Sequence, residues 1–195
     1  MRVIGGELRS RRIASIPGAA TRPTPDRLRE TLFDIIAAQV RGATFLDAYA
    51  GTGSVGIEAL SRGATHAWFL ERGRAALQAL RGNLAALELE SRASVVPGPA
   101  LGSLARYAAP IVFLDPPYDL DRELTAALDL LAAAPPALVV AQHPIRRVLA
   151  ESFGPLRRTR LVKQGENSLS FYSPDRALYG PGMPARPART SMGPT

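Results

Sequence analysis

Phe45-Leu46-Asp47-Ala48-Tyr49-Ala50-Gly51-Thr52-Gly53-Ser54-Val55-Gly56-Ile57 is the stretch that decides the fold. A short apolar run ends in an acid, glycines follow in a G-x-G-x-x-G spacing, and helical periodicity begins at Ser54. A tight strand-to-helix turn needs glycine where the backbone passes close to another group. Outward from this turn, the runs 43–48, 66–71, 93–97, 110–115 and 136–142 read as strands, and 54–62, 73–88, 100–107, 121–134 and 144–151 read as helices. That alternation predicts an α/β fold with a mostly parallel sheet covered on both faces. Residues 160–163 and 169–172 flank Gln164-Gly165-Glu166-Asn167 and read as an antiparallel hairpin closing one sheet edge.

Upstream of the turn, residues 2–13 read as a small hairpin or extended arm. Gly5 and Gly6 permit its bend, and its arginines take exposed positions. Thr24-Pro25-Asp26 opens a helix, with Thr24 at the N-cap and Pro25 at the first helical position. Leu28, Leu32, Ile35 and Ile36 carry that helix to about residue 40. Residues 174–195 hold five Pro and three Gly and are expected to form a flexible tail.

The glycine turn points to a ligand. Glu71 ends the second strand 20 residues after Gly51, where an acid can accept hydrogen bonds from ribose hydroxyls. Alone, this is the fingerprint of a dinucleotide site, and a nicotinamide or flavin cofactor fits it. It fits S-adenosylmethionine equally, which shares the adenosine and lacks the pyrophosphate.

A second motif favours the latter. The fourth strand ends in Asp115-Pro116-Pro117-Tyr118, and ligands bind at the carboxyl ends of strands in an open parallel sheet. An exocyclic amine on a nucleobase is planar and a poor nucleophile. The Asp115 carboxylate and the Pro116 carbonyl can accept its two N–H bonds, which favours a pyramidal nitrogen with its lone pair turned toward a methyl donor. Proline fixes the loop and removes a competing donor. The Tyr118 ring offers a surface on which an extruded base can stack, worth about 1–3 kcal/mol. Holding amine and methyl in line supplies most of the rate. Asp115 can take the proton late, so neither His66 nor His143 is needed, and both read as structural.

Composition bounds the rest. The chain has 195 residues, 24 Lys+Arg against 17 Asp+Glu, and a formal charge of +7. The absence of cysteine removes thiol catalysis, iron–sulfur clusters and cysteine zinc sites, and no metal site is expected. No apolar run approaches the ~18 residues of a membrane span, and the start does not read as a leader, so a cytoplasmic location is expected. The charge is +4 over residues 1–30, −2 over 31–154 and +5 over 155–195. Basic ends of this kind attract a polyanion through phosphate contacts.

Several strings together resemble the bacterial 16S ribosomal RNA guanine-N2 methyltransferase family, RsmD. They are Arg2-Val3-Ile4-Gly5-Gly6, Thr21-Arg22-Pro23-Thr24, Arg27-Leu28-Arg29-Glu30-Thr31-Leu32-Phe33, Asp47 through Gly56, Glu58-Ala59-Leu60-Ser61-Arg62-Gly63-Ala64, Glu71, Asn83-Leu84, and Asp115 through Tyr118. The resemblance implies a Rossmann-like class I S-adenosylmethionine-dependent methyltransferase, with a seven-stranded sheet whose last strand is reversed. Residues 1–22 would be the basic arm, 23–173 the methyltransferase domain and 174–195 the tail. S-adenosylmethionine would be the cofactor, without a metal. A guanine of 16S rRNA, in the small ribosomal subunit or an assembly intermediate, would be the target of a monomeric enzyme.

By this resemblance Asp47, Ala50, Gly51, Gly53 and Gly98 would line the cofactor's site and Glu71 would hold its ribose. Asp115, Pro116, Pro117 and Tyr118 would bind the amine and the base. Arg2, Arg9, Arg11, Arg12, Arg22 and Thr24 would meet RNA, Arg22 and Thr24 closing over the site. Two positions depart from the family's pattern. Gly98-Pro99-Ala100 stands where an acid often follows the glycine, and Gln142 stands where Glu is frequent. Other readings remain at this point: a DNA adenine-N6 methyltransferase, a nicotinamide oxidoreductase, or a catalytically silent RNA-binding factor of ribosome assembly.

Overall fold

A computed structural model describes residues 1–16, 25–107, 109–117 and 121–175, with only the backbone of Asp121. Among the described residues, eight strands form one sheet in the order β3-β2-β1-β4-β5-β8-β7-β6. They are β1 (Thr44–Asp47), β2 (His66–Glu71), β3 (Ala93–Pro97), β4 (Ile111–Leu114), β5 (Leu138–Pro144), β6 (Ser152–Phe153), β7 (Leu156–Gln164) and β8 (Asn167–Pro174). The strands β3, β2, β1, β4 and β5 pair in parallel. β8 runs antiparallel to both β5 and β7, which is the reversed strand expected. The extra strand is the two-residue β6 beside β7.

The chain steps outward from β1 to β2 and β3, then returns to place β4 against the other side of β1. Strand order therefore reverses between β1 and β4, and the crevice above such a reversal is where open α/β sheets bind ligands.

Helices cover both faces. α1 (Asp26–Ile35), α2 (Ala37–Val40), α3 (Ser54–Ser61) and α4 (Arg74–Ala86) lie with the arm on one side, and α5 (Asp121–Ala132) on the other. The first core includes Val3, Ile13, Leu32, Phe33, Ile57 and Phe69; the second includes Leu46, Leu70, Val112, Leu128 and Tyr172. β4 is buried along its whole length, as a central parallel strand should be. All eight residues of α3 are buried as well. Its Gly56 is required by packing, because a Cβ there would collide with the Phe69 ring.

Residues 2–13 fold back on themselves. Arg2 bridges Arg12 antiparallel, and the Val3 amide donates to the Arg11 carbonyl at 2.9 Å. Val3 and Ile13 are buried in the same core as α1 and α3, each worth about 1.5–3 kcal/mol of transfer free energy.

Four expectations change. The helix expected through residue 40 breaks at Ile36 into α1 and α2. Residues 100–107 form a single 3-10 turn, Ala100–Gly102, followed by further turns. Residues 144–151 form no helix despite helix-like spacing: Pro144 still belongs to β5 and pairs with Asn167 of β8, and the Ile145 amide, the next in the chain, donates to the Glu166 carbonyl at 2.8 Å. The Leu149 carbonyl accepts from Arg158, Ala150 from the Tyr172 hydroxyl, and Glu151 from the Arg158 amide. α1 begins at Asp26 with Pro25 as its cap, one residue later than expected; Thr24 and the tail beyond Asp175 lie outside the described residues.

Candidate active site

The glycine turn is built between two strands. The Ala48 amide donates to the Phe113 carbonyl of β4 and the Ala50 amide to the Leu70 carbonyl of β2, both at 3.0 Å. Gly53 then sits in the left-handed region at φ 84° and opens α3. No side chain of the turn caps α3; Asp47 does so from β1, its Oδ2 accepting the Gly56 amide at 2.9 Å. Burial pushes the Asp47 carboxyl up to about 7, the nearby Glu71 charge adds to the rise, and the Gly56 amide opposes it.

Glu71 joins two turns. Its Oε2 accepts the Gly51 amide at 2.8 Å and its Oε1 the Gly73 amide at 2.6 Å. Each oxygen keeps a lone pair for a further donor, and the side chain borders a cleft of about 970 Å³.

Asp47, Ala50, Gly51, Glu71, Gly98, Asp115, Pro116 and Pro117 all line this cleft. Gly53 does not: a Cβ there would collide with the Leu80 side chain, so packing under the turn requires that glycine. Gly51 and Gly98 differ from it. Their φ values are 55° and 134°, and a Cβ at either would meet no atom within 4 Å. Backbone stripped of side chains at two points of one cleft, beside a carboxylate with spare lone pairs, fits an adenosine-bearing cofactor. Tyr118, Arg22 and Thr24 lie outside the described residues.

Asp115 follows directly on β4, next to β1, half-buried between the buried β4 and the buried Pro116. Pro116 and Pro117 offer carbonyls and no amide donors. The end of β3 is drawn to β2 by the Gly98 amide, which donates to the Glu71 carbonyl at 2.9 Å. Ala100 lines the cleft just beyond Pro99, and Gln142, 4% exposed, lines it from β5.

Sequence reasoning missed the arm's share of the cleft. Met1, Ser15 and Ile16 line it, although they are far from the glycine turn in the chain and belong to no motif. The arginines Arg2, Arg9, Arg11 and Arg12 are exposed and stand apart from the cleft. Arg2 and Arg9 instead line a second hollow, of about 350 Å³, together with Arg27 of α1.

The arm is seated by side chains from α3 and α1. Glu58 accepts the Ile4 and Gly5 amides, each at 2.8 Å. The Ser61 hydroxyl donates to the Gly5 carbonyl and accepts the Leu8 amide. Buried Arg29 donates to the Arg2 carbonyl at 2.7 Å. The two histidines serve the sheet: His143 meets the Ser170 hydroxyl at 2.9 Å and His66 the Ser94 hydroxyl at 3.1 Å. Burial lowers both from the ordinary imidazole value, and neither lines the cleft.

A family model described as "Conserved hypothetical protein 95" matches residues 1–173. A Bacillus subtilis (strain 168) protein named "Putative rRNA methyltransferase YlbH" is 36% identical over 181 residues, 88% of this chain and 98% of its own. "Ribosomal RNA small subunit methyltransferase D" of Escherichia coli (strain K12) is 44% identical over 120 residues, 60% of each chain. Among solved structures, "Putative methyltransferase yhhF from Escherichia coli" is 34% identical with a TM-score of 0.78, over 90% of this chain and 98% of that one.

Proposed function

Given that the chain belongs to the conserved hypothetical protein 95 family, the RsmD family its sequence resembles, we propose that it methylates the exocyclic N2 amine of a guanine in small-subunit ribosomal RNA. The cofactor is S-adenosylmethionine. The observation that carries this reading is the shared cleft at the strand-order reversal. Asp47 ends β1, Asp115 follows β4, and both face the same space as Gly51, Glu71, Pro116 and Pro117.

S-adenosylmethionine, when bound, supplies a methyl on a sulfonium that leaves as a neutral thioether. The protein's part is to hold and orient. Gly51 and Gly98 leave the backbone open to the cofactor, and Glu71 accepts from its ribose hydroxyls. The Asp115 carboxylate and the Pro116 carbonyl accept the two N–H bonds of the guanine amine and turn its lone pair outward. The proton released as the new C–N bond forms goes to Asp115. Tyr118, three positions after Asp115, offers the ring for stacking. Positioning of this kind needs no histidine and no metal ligand.

The exposed arginines of the arm supply phosphate contacts, which fix register without reading sequence. Arg22 and Thr24 are assigned to the RNA target with them. The enzyme works as a monomer in the cytoplasm, on 16S rRNA in the small subunit or an assembly intermediate. Naming by the two rRNA methyltransferase relatives supports RNA over DNA as substrate.

The test is transfer of labelled methyl from S-adenosylmethionine to small-subunit particles that lack the modification, with the product nucleoside identified by mass. N2-methylguanosine is expected. Label in DNA adenine would replace this reading with an adenine-N6 activity, and cofactor binding without transfer would leave a silent RNA-binding factor.

A further inference from the structure

We infer that Asn83 is a positioning residue that makes the N-terminal arm part of the cofactor's site; the inference rests on the reading that the cleft takes S-adenosylmethionine. Asn83 lies within α4 and is 3% exposed. A side-chain amide offers two donor hydrogens and one acceptor oxygen, and this one spends all of them between two distant segments. Its Nδ2 donates to the Ala14 carbonyl at 3.1 Å and to the Thr52 carbonyl at 2.9 Å. Its Oδ1 accepts the Ala14 amide at 2.8 Å.

The two segments it ties are both walls of the cleft. Thr52 stands between Gly51 and Gly53 and lines the cleft; Ala14 is followed at once by Ser15 and Ile16, which line it too. The clamps on the arm from α3, Glu58 and Ser61, hold the hairpin's bend and do not border the cleft. Asn83 therefore fixes how the arm's exit sits against the glycine turn. Without it, the Ala14 amide and carbonyl and the Thr52 carbonyl lose that partner, and binding has to order both segments at once. That loss falls on cofactor affinity. The chemical step, run from Asp115 at the far side of β1, is left as it was.

The test uses the full chain. Asn83→Asp keeps the shape and turns both donors into an acceptor facing two carbonyls, while Asn83→Ala removes all three bonds. S-adenosylhomocysteine affinity is measured by calorimetry, and methyl transfer to small-subunit particles gives KM and kcat. In both variants Kd and KM for the cofactor should rise at least tenfold, with kcat at saturating cofactor within twofold of the parent. Leu128→Ala, in the core on the opposite face of the sheet, controls for lost stability; it should lower Tm and keep the parent's Kd. In the parent, S-adenosylhomocysteine should slow hydrogen exchange at the Ala14 amide. Kd within twofold of the parent in a folded Asn83 variant, a fall in kcat at unchanged Kd, equal weakening by Leu128→Ala, or exchange at Ala14 indifferent to ligand would each overturn the inference. A parent protein that binds no S-adenosylhomocysteine would overturn the cofactor reading itself, and this inference with it.

Discussion

Arg29 Nε lies 3.7 Å from Glu58 Oε2, and neither side chain has any exposed surface. Burial lowers the guanidinium from its ordinary value, and Glu58 is the strongest of the charges that restore it. The pair is the hub of the arm's seat, since Glu58 also receives Ile4, Gly5 and Arg62. Removing one member of a buried pair strands the other charge. Glu58→Ala should therefore cost about 3–5 kcal/mol in denaturant unfolding, with fast exchange at the Ile4 and Gly5 amides. A loss below about 1 kcal/mol, within the range of an exposed pair, would mean that this pair does not seat the arm.

Two glycines with similar backbone angles should respond oppositely to a methyl group. Gly6 has φ 79° and a Cβ there would overlap the Ser61 carbonyl oxygen. Gly51 has φ 55° and open space around it. Gly6→Ala should lower stability by more than about 2 kcal/mol, strain and collision combined. Gly51→Ala should cost only the backbone strain, about 1–2 kcal/mol, and weaken S-adenosylhomocysteine binding more than tenfold. Equal loss of stability in the two would contradict the assignment of Gly51 to the ligand.

Stability should respond to pH through Asp47. Its carboxyl titrates near 3.8 when unconstrained and at about 7 when folded. Between those values the folded state binds a proton that the unfolded chain has lost. Asp47 therefore contributes its full stability below the lower value and loses it as pH rises through the upper one. The slope is at most about 1.4 kcal/mol per pH unit. Asp47→Asn keeps an acceptor for the Gly56 amide and should flatten the fall in unfolding free energy between pH 5 and 7. An identical slope in the variant would place the titration elsewhere.

Chemistry should separate from binding at Asp115. Asp115→Ala should lower methyl transfer by roughly two to four orders of magnitude, the scale of a lost proton acceptor and orienting group. S-adenosylhomocysteine affinity should stay within a few-fold of the parent. Wild-type turnover in this variant would remove Asp115 from the reaction.

Salt dependence reads the arm. Arg9, Arg11 and Arg12 are exposed, and each phosphate contact contributes close to one unit to the slope of log affinity against log salt. Replacing all three with Ala should flatten the RNA-binding slope by about two to three units. An unchanged slope would show that the arm meets no phosphate.

Local pattern carried most of the fold and failed at identifiable places. The glycine turn, Glu71 and Asp115-Pro116-Pro117 were legible because each lies at a strand end, where residue type and position coincide. Ile145-Arg146-Arg147-Val148-Leu149-Ala150 has helical spacing, yet the sheet holds its start, with Pro144 paired to Asn167 and the Ile145 amide on the Glu166 carbonyl, and Val148 is 90% exposed. That outcome depends on the β7–β8 hairpin, which arrives from later in the chain. The work of Glu58, Ser61 and Asn83 was hidden for the same reason. They entered as members of family-like strings, but their partners in the arm stand 53 to 69 positions away. A motif string records such a partnership without revealing it.

The arm's bonds also set an order of assembly. Ile4 and Gly5 wait for Glu58, Ala14 for Asn83, and Glu7 for Arg92, 85 positions later. The arm is seated only after β1, α3, β2 and α4 have formed. Until then Val3 and Ile13 have no core to enter, and closure of loops this long is slow relative to local helix formation. A folding chain would thus carry an exposed, basic, partly apolar segment until those elements are in place. Until it docks, Ser15 and Ile16 are missing from the wall of the cleft.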